Sequence, residues 1–147
     1  MAIQIIDYGT HEYEQMVQLR YLVLRKPLGL EFTENELHDD KDDILLGCFE
    51  NNKLIGCCAL KKMDKNTLQL RQMAVNAGLQ GKGIGRAILV FAENIARDFG
   101  YAKMVMHARK GAIGFYEKLG YTTYGDEFTE VTLPHYAMEK KLKRKYL

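Results

Sequence analysis

The stretch Met73-Ala74-Val75-Asn76-Ala77-Gly78-Leu79-Gln80-Gly81-Lys82-Gly83-Ile84-Gly85-Arg86 decides how the rest of the chain is read. It passes from a strand-like segment through a glycine-rich loop into the start of a long helix. Gly81, Gly83 and Gly85 leave backbone N–H groups unshielded where that helix begins. The first N–H groups of a helix lack internal partners, and the helix dipole adds partial positive charge there. With the cations of Lys82 and Arg86, the stretch reads as a cradle for a diphosphate-sized anion.

Three loop chemistries compete for it. A Walker A loop ends in Gly-Lys-Ser/Thr, whereas Gly83-Ile84-Gly85 follows the lysine here. A dinucleotide-binding turn needs G-x-G-x-x-G inside a βαβ unit, but the spacing is G-x-G-x-G after a run of apparent hairpins. The third pattern, Q/R-x-x-G-x-G/A, is met by Gln80 to Gly85 at every fixed position. Taken alone, such a loop also reads as a glycine-rich turn without a ligand.

Outward from the loop, the 147 residues suit one domain with a sizeable core, and 47% hydrophobic with 27% charged residues suit a globular chain. A net charge of +2 gives no reason to expect nucleic acid, and the basic run Lys140 to Lys145 reads as solvated. No apolar run is long enough to span a membrane and no leader pattern is present, so no membrane partner is expected. Three cysteines, two of them adjacent at Cys57-Cys58, fit neither a disulfide framework nor a metal site; reduced thiols and a cytoplasmic protein are expected.

Ala2 to Tyr8 reads as a first strand. Thr10 caps a helix carrying Tyr13, Met16, Val17, Tyr21 and Leu24 at helical spacing, and Pro27 stops it near Lys26. Thr33-Glu34-Asn35-Glu36 is a capping box for a short second helix, and Asp39 to Asp43 reads as a solvated loop. Ile44 to Phe49 and Lys53 to Leu60 form a hairpin about Asn51-Asn52. Thr67 to Val75 is a further strand. Its apolar phase slips from Leu68 and Leu70 to Met73 and Val75, as a bulge near Arg71 or Gln72 would cause; two-sided burial of the strand end is the other reading.

Ile84, Ala87, Ile88, Phe91, Ile95 and Phe99 put one apolar face on the long helix, and Gly100 ends it. Tyr101 to Ala108 follows as a strand parallel to Thr67–Val75. Gly111 to Leu119 is a short helix closed by Gly120, and Tyr121 to Gly125 with Pro134 to Leu142 forms a last strand pair.

Ala112-Ile113-Gly114-Phe115-Tyr116-Glu117-Lys118-Leu119-Gly120-Tyr121 matches A-x-x-F-Y-x-x-x-G-F/Y. With the Gln80–Gly85 loop before it, the whole chain resembles the GCN5-related N-acetyltransferases, the GNAT superfamily. Arg20-x-x-Val23-Leu24-Arg25-x-Pro27-Leu28-Gly29, with the late Pro134-His135, resembles a bacterial branch often called ElaA-like.

The resemblance implies a single domain over 1–147 with an α/β GNAT fold. That fold is a mixed, largely antiparallel twisted sheet of six or seven strands, helices on both faces, and a central parallel pair splayed at the acetyl-CoA site. It implies acetyl transfer from acetyl-CoA, as co-substrate and without a metal, to a primary amine by direct attack in a ternary complex. An acyl-CoA-binding module without catalysis is the alternative. Gln80, Gly81, Lys82, Gly83, Ile84, Gly85 and Arg86 would hold the pyrophosphate. Met73, Ala74 and Val75 would pair their backbone with pantetheine, and an N–H of Val75 or Met73 would polarise the thioester carbonyl.

Tyr116 matches the tyrosine that commonly protonates the departing thiolate; without the resemblance it reads as packing. Many relatives have an asparagine seven residues earlier, where this chain has Arg109, a cation suited to a CoA phosphate. For the acceptor's proton, His135 is the candidate base; its other reading is a structural hydrogen bond at a strand end. Glu31, Asp126, Glu127 and Glu130 are weaker candidates, and His107 reads as a strand residue. Arg20 and Arg25, near the expected acceptor side, read as a solvated helix face, with binding of an anionic acceptor as the other reading. A homodimer is common in the family; the acceptor stays unnamed.

Overall fold

The computed structural model describes residues 1–143. Its strands are β1 (Ala2–Ile6), β2 (Ile44–Glu50), β3 (Lys53–Lys62), β4 (Thr67–Val75), β5 (Lys103–Arg109), β6 (Thr122–Glu130) and β7 (Leu133–Lys141). Its α-helices are α1 (His11–Arg20), α2 (Glu34–Asp39), α3 (Ile84–Asp98) and α4 (Ile113–Lys118). The seven strands form one mixed sheet in the order β1-β2-β3-β4-β5-β7-β6. β4 and β5 are parallel, while β1–β2, β2–β3, β5–β7 and β6–β7 are antiparallel. The parallel pair follows from the helical crossover between its strands, since a parallel return needs one. Two compact units are built on this sheet: Met1–Lys61 with Arg71–Ala92, and Lys62–Leu70 with Glu93 onward.

In the first unit, the Thr10 side chain accepts from the Tyr13 N–H and so starts α1. Tyr13, Met16 and Leu19 then recur at helical spacing and bury against Ile6, Leu45, Leu54, Cys57, Ala59 and Ala74. Each such side chain removed from water contributes about 1.5–3 kcal/mol. On the opposite face of β3, Gly56 admits α3: a Cβ there would lie 2.7 Å from Ile88 Cδ1 and 3.0 Å from Ile84 Cγ2. Helices therefore cover both faces of this part of the sheet. The Thr33–Glu36 capping box is complete in both directions, and Asn51 (φ 51°) with Asn52 (φ 65°) makes the β2–β3 turn.

Two sequence readings are corrected in this unit. Arg20 and Arg25 are not a solvated face: they are 1% and 8% exposed. Arg20 Nη1 donates to Asp40 Oδ2 at 2.9 Å, and Arg25 Nη2 donates to Glu36 Oε2 at 2.6 Å. The Phe32 ring lies 4.9 Å from the Arg20 guanidinium carbon and 4.0 Å from that of Arg25. In Asp39 to Asp43, Asp39, Lys41 and Asp42 are exposed as a solvated loop requires, but Asp40 is buried at the end of α2 and takes the Tyr13 hydroxyl at 2.6 Å as well. Between α1 and Pro27 the chain widens into a π-helical turn, Tyr21–Arg25.

In the second unit, Met104, Met106, Ala108 and Met138 form the buried side of β5 and β7. Gly100 (φ 86°) caps α3 as expected, but Phe99 is exposed; Ala92 and Ala96 extend the buried stripe instead. β6 runs on past Gly125 (φ 74°) through an irregularity between Tyr124 and Phe128, so the last hairpin is longer than its sequence suggests. Its two-residue turn is Val131 (φ 50°) and Thr132 (φ 65°), a conformation β-branched residues rarely adopt. Of the basic run Lys140 to Lys145, residues 144 and 145 lie outside the described residues. Lys140 itself is held by Glu93 and the Leu119 carbonyl rather than by solvent.

Candidate active site

The glycine loop is anchored at both ends within the first unit. At its entry, Asn76 N–H donates to Ile55 O at 2.9 Å, and Asn76 Oδ1 accepts from Gly78 N–H at 3.0 Å. Gln80 Nε2 then reaches back to Val75 O at 3.2 Å, folding the loop onto the end of its own strand. At its exit, Ile84 and Ile88 are buried and fix the start of α3 over Gly56. Between the anchors, Gly81 (φ 81°) and Gly83 (φ 82°) are left-handed, and no atom lies within 4 Å of a Cβ built on either. Their glycine identity therefore answers to backbone conformation and to the open side of the loop, not to crowding. Gly85 is already the second residue of α3, and Lys82 and Arg86 are exposed beside it.

Where its apolar phase slips, the strand leading into the loop has a left-handed residue, Gln72 (φ 54°), a local irregularity of the kind a bulge would bring. Ala74 beyond it is buried in the α1 core, while Met73 and Val75 are half-buried. The parallel register with β5 runs from Thr67↔Lys103 to Leu70↔Met106 and stops there. The segment expected to offer backbone to pantetheine begins three residues later.

The second unit holds the other candidates. Tyr116 is buried on α4, with its ring 5.0 Å from Phe115 and 5.9 Å from Tyr121. Tyr121 N–H donates to Tyr116 O at 3.1 Å, closing the helix end. The Tyr121 hydroxyl donates to Glu93 Oε2 at 2.8 Å, and burial first, then the Glu93 charge, raises its pKa far above the ordinary phenol range.

Arg109 ends β5 directly opposite His135 of β7, so these two share a face. His135 is buried: its Nδ1 donates to Leu133 O at 2.9 Å, and its Nε2 lies 3.8 Å from Glu130 Oε2. The other Glu130 oxygen accepts from His107 Nδ1 at 2.9 Å. Phe128 meets His107 edge-on at 5.0 Å and His135 at 5.9 Å. The grouping of His107 with Glu130 and Phe128 was missed in the sequence. The available signal was strand phase, which places His107 on the solvent side between buried Met106 and Ala108.

The sequence candidates thus form two sets, Met73–Arg86 in the first unit and Arg109, Tyr116 and His135 in the second. The thiols offer no nucleophile. All three cysteines are free and buried, and burial pushes the Cys57 thiol up to about 12 and Cys58 well above its usual value. Among the described residues no cluster of His, Cys, Asp or Glu has the makings of a metal site, and no helix is long and apolar enough to cross a membrane.

Comparison with known proteins agrees with this architecture. The model of the acetyltransferase (GNAT) family matches residues 10–121. A Bacillus subtilis (strain 168) protein named "Putative acetyltransferase BSU40680" is 31% identical over 116 residues, covering 78% of this chain and 77% of its own. An aminoglycoside 6'-N-acetyltransferase complexed with coenzyme A superposes with a TM-score of 0.81 at 14% identity, over 97% of this chain and 98% of its own. Escherichia coli ElaA gives 0.80 at 16% identity, over 95% and 98%. At these identities the two solved structures speak for the fold. The family match extends over both the glycine loop and the Phe115-Tyr116 helix, and the chain belongs to the GNAT family of N-acetyltransferases.

Proposed function

We propose that the chain, working as one domain over residues 1–147 in the cytoplasm, transfers the acetyl group of acetyl-CoA to a primary amine in a ternary complex. The loop of Gln80, Gly81, Lys82, Gly83, Ile84, Gly85 and Arg86 takes the pyrophosphate on its backbone N–H groups, and Arg109 adds a cation for the CoA phosphates. The backbone of Met73, Ala74 and Val75 takes pantetheine, and an N–H of Val75 or Met73 polarises the thioester carbonyl. The amine nitrogen attacks that carbon, the N–C bond forms and the C–S bond breaks. Tyr116 supplies the proton that the departing thiolate takes up. His135, closed off behind Glu130, belongs to the group that receives the acceptor's proton.

One observation carries this reading: two left-handed glycines with open space at their missing side chains, held between a strand end and the start of α3. Other open, left-handed glycines sit at turns and helix ends; these two stand at the start of α3, beside Lys82 and Arg86, where a backbone anion site would be expected. The buried thiols argue against an acetyl-enzyme route. No nucleic-acid partner is proposed, because Lys140 is committed to an internal carboxylate.

The test is acetyl-CoA turnover against a panel of alkyl amines, amino sugars, peptide N-termini and lysine peptides, with CoA affinity measured by calorimetry. Turnover with any member supports the transferase. Tight CoA binding without turnover across the panel supports the acyl-CoA-binding module instead. Loss of all CoA affinity removes both readings. Ultracentrifugation of the same sample tests the homodimer.

A further inference from the structure

Resting on the acetyl-transfer reading above, the geometry points to His107 as the base that takes the proton from the acceptor ammonium, with Glu130 holding it for the task and His135 fixing Glu130 from behind. Residues directly opposite in an antiparallel pair share a face, and so do residues two apart. His135 faces Arg109 on one side and Phe128 on the other. His107 and Glu130 lie two residues from Arg109 and Phe128, so His107, Arg109, Phe128, Glu130 and His135 all occupy one face of β5, β7 and β6. The buried methionines occupy the other.

Hydrogen-bond chemistry separates the two histidines. A carbonyl oxygen only accepts, so His135 Nδ1 carries a proton and donates it to Leu133 O. Its remaining nitrogen is turned toward Glu130, inside a ring that is 4% exposed. His135 therefore has no nitrogen turned outward. His107 Nδ1 donates to the Glu130 carboxylate, which leaves the basic lone pair on Nε2 of a ring that is 41% exposed. A carboxylate fixing one imidazole nitrogen so that the other is basic and correctly aimed is the logic of a general-base dyad. His107 is also the first residue of β5 beyond its last parallel pairing with β4, Leu70↔Met106. It stands where the strand ceases to be occupied by its neighbour.

In the step, His107 Nε2 takes one proton from the ammonium, and the freed nitrogen lone pair attacks the thioester carbon. The thiolate leaves with the proton from Tyr116, and the second nitrogen proton, lost as the intermediate resolves, returns to the Tyr116 oxygen by way of solvent. The products are the amide, the CoA thiol and one proton passed from His107 to solvent. The charged groups nearest His107 on its face are Glu130 on β6, His135 on β7 behind it and Arg109 on β5, with the Lys103–Glu139 pair and Lys141 further along the same face. The Lys110–Glu127 pair lies beyond the end of that strand.

The experiment compares His107→Ala, His107→Gln and Glu130→Gln with the wild type, using two classes of acceptor. Alkylamines are ammonium ions at neutral pH and need a base; hydroxylamine- and hydrazine-type acceptors are already neutral. With alkylamines, kcat is expected to fall about 100-fold in the His107 variants, the low end for loss of a general base. With the neutral acceptors the fall stays below about five-fold, and added imidazole restores part of the alkylamine rate in His107→Ala. Glu130→Gln lowers kcat about ten-fold while KM for acetyl-CoA stays within about two-fold, and Glu130→Asp recovers part of the loss. An equal loss with both acceptor classes, or an alkylamine loss below about three-fold, overturns the assignment while leaving acetyl transfer intact. Absence of turnover by the wild type overturns both. The exposed His107→Gln replacement keeps the experiment decisive should the alanine variant fold poorly.

Discussion

The Tyr121 hydroxyl donates to Glu93 Oε2 at 2.8 Å, tying the residue after the Phe115-Tyr116 helix to the buried side of α3. Lys140 completes the brace: its ammonium reaches Glu93 Oε1 at 2.9 Å and the Leu119 carbonyl at 2.8 Å. Glu93 is 5% exposed, and Arg97 approaches it at 3.7 Å as well. Tyr121→Phe is expected to cost about 1–3 kcal/mol by leaving a buried carboxylate oxygen short of a donor. Lys140→Met should cost more, about 3 kcal/mol, because it removes a charge as well. Urea unfolding midpoints check both, and a cost below that of an ordinary surface substitution would show that the brace contributes nothing.

Tyr116→Phe separates proton delivery from packing. The ring and its contacts with Phe115 and Tyr121 remain, and only the hydroxyl is lost. A fall of about 100-fold in kcat with little change in KM for acetyl-CoA is expected if the phenol protonates the thiolate. An unchanged kcat would return Tyr116 to a framework role.

Gly83→Ala and Gly56→Ala fail for opposite reasons. At Gly83 a methyl meets nothing, but φ is 82°, so the loop either pays about 1 kcal/mol of backbone strain or turns away. The expected readout is a CoA affinity reduced about ten-fold or more with a small change in melting temperature. At Gly56 the methyl runs into Ile88 and Ile84, so about 1–3 kcal/mol of overpacking appears in stability. Calorimetric titration and thermal melts on both variants distinguish the two.

Acid exposes the Arg25–Glu36 pair. The hydrogen bond from Arg25 holds the Glu36 carboxyl below its ordinary range, with help from the Thr33 N–H. The folded value lies below the unfolded one, so the contribution is complete above the unfolded range, about pH 4.3. It disappears as pH falls through the lower folded value. Glu36→Gln retains a capping side chain while removing the charge. It should be less stable than the wild type at pH 7, and the gap should close below about pH 4. The difference between proteins is the useful quantity, because burial raises the Asp43 carboxyl and moves its own contribution in the opposite direction. A gap that stays constant with pH would show that the ion pair is silent.

The Val131-Thr132 turn stores strain directly after Glu130, the partner of the proposed base. Both residues have positive φ, where Asn and Gly are at ease and β-branched residues are not. Replacing the pair by Asn-Gly should raise stability by about 1–2 kcal/mol, read as a higher melting temperature. Should the turn instead be relaxed as it stands, no gain will appear.

The parts of the protein written in local chemistry were legible in advance. The Gln80–Gly85 spacing, the Thr33 cap, the Asn51-Asn52 turn and the phase slip now seen at Gln72 each depend on neighbours a few residues away. What was hidden depends on partners distant in sequence. Arg20 looks like a solvated cation because its position on α1 says nothing of Asp40, twenty residues on, or of Phe32. His107 looks like an ordinary strand residue until Glu130 is brought back by a hairpin whose turn carries neither Asn nor Gly. Gly125 looks like the end of a strand because a register break and an end share the same local signature.

The π-helical turn at Tyr21–Arg25 has a consequence for how this chain tolerates change in length. A widened turn is one residue more than a regular coil of the same span requires. Excising a single residue there would restore ordinary winding and leave the chain on either side close to its present orientation, whereas the same excision inside α1 would turn everything C-terminal to it by roughly 100°. Only the second would swing Arg25 off Glu36. A one-residue deletion should therefore be absorbed between Tyr21 and Leu24 better than one turn earlier, which makes this coil the place where the first helix accepts a change of length.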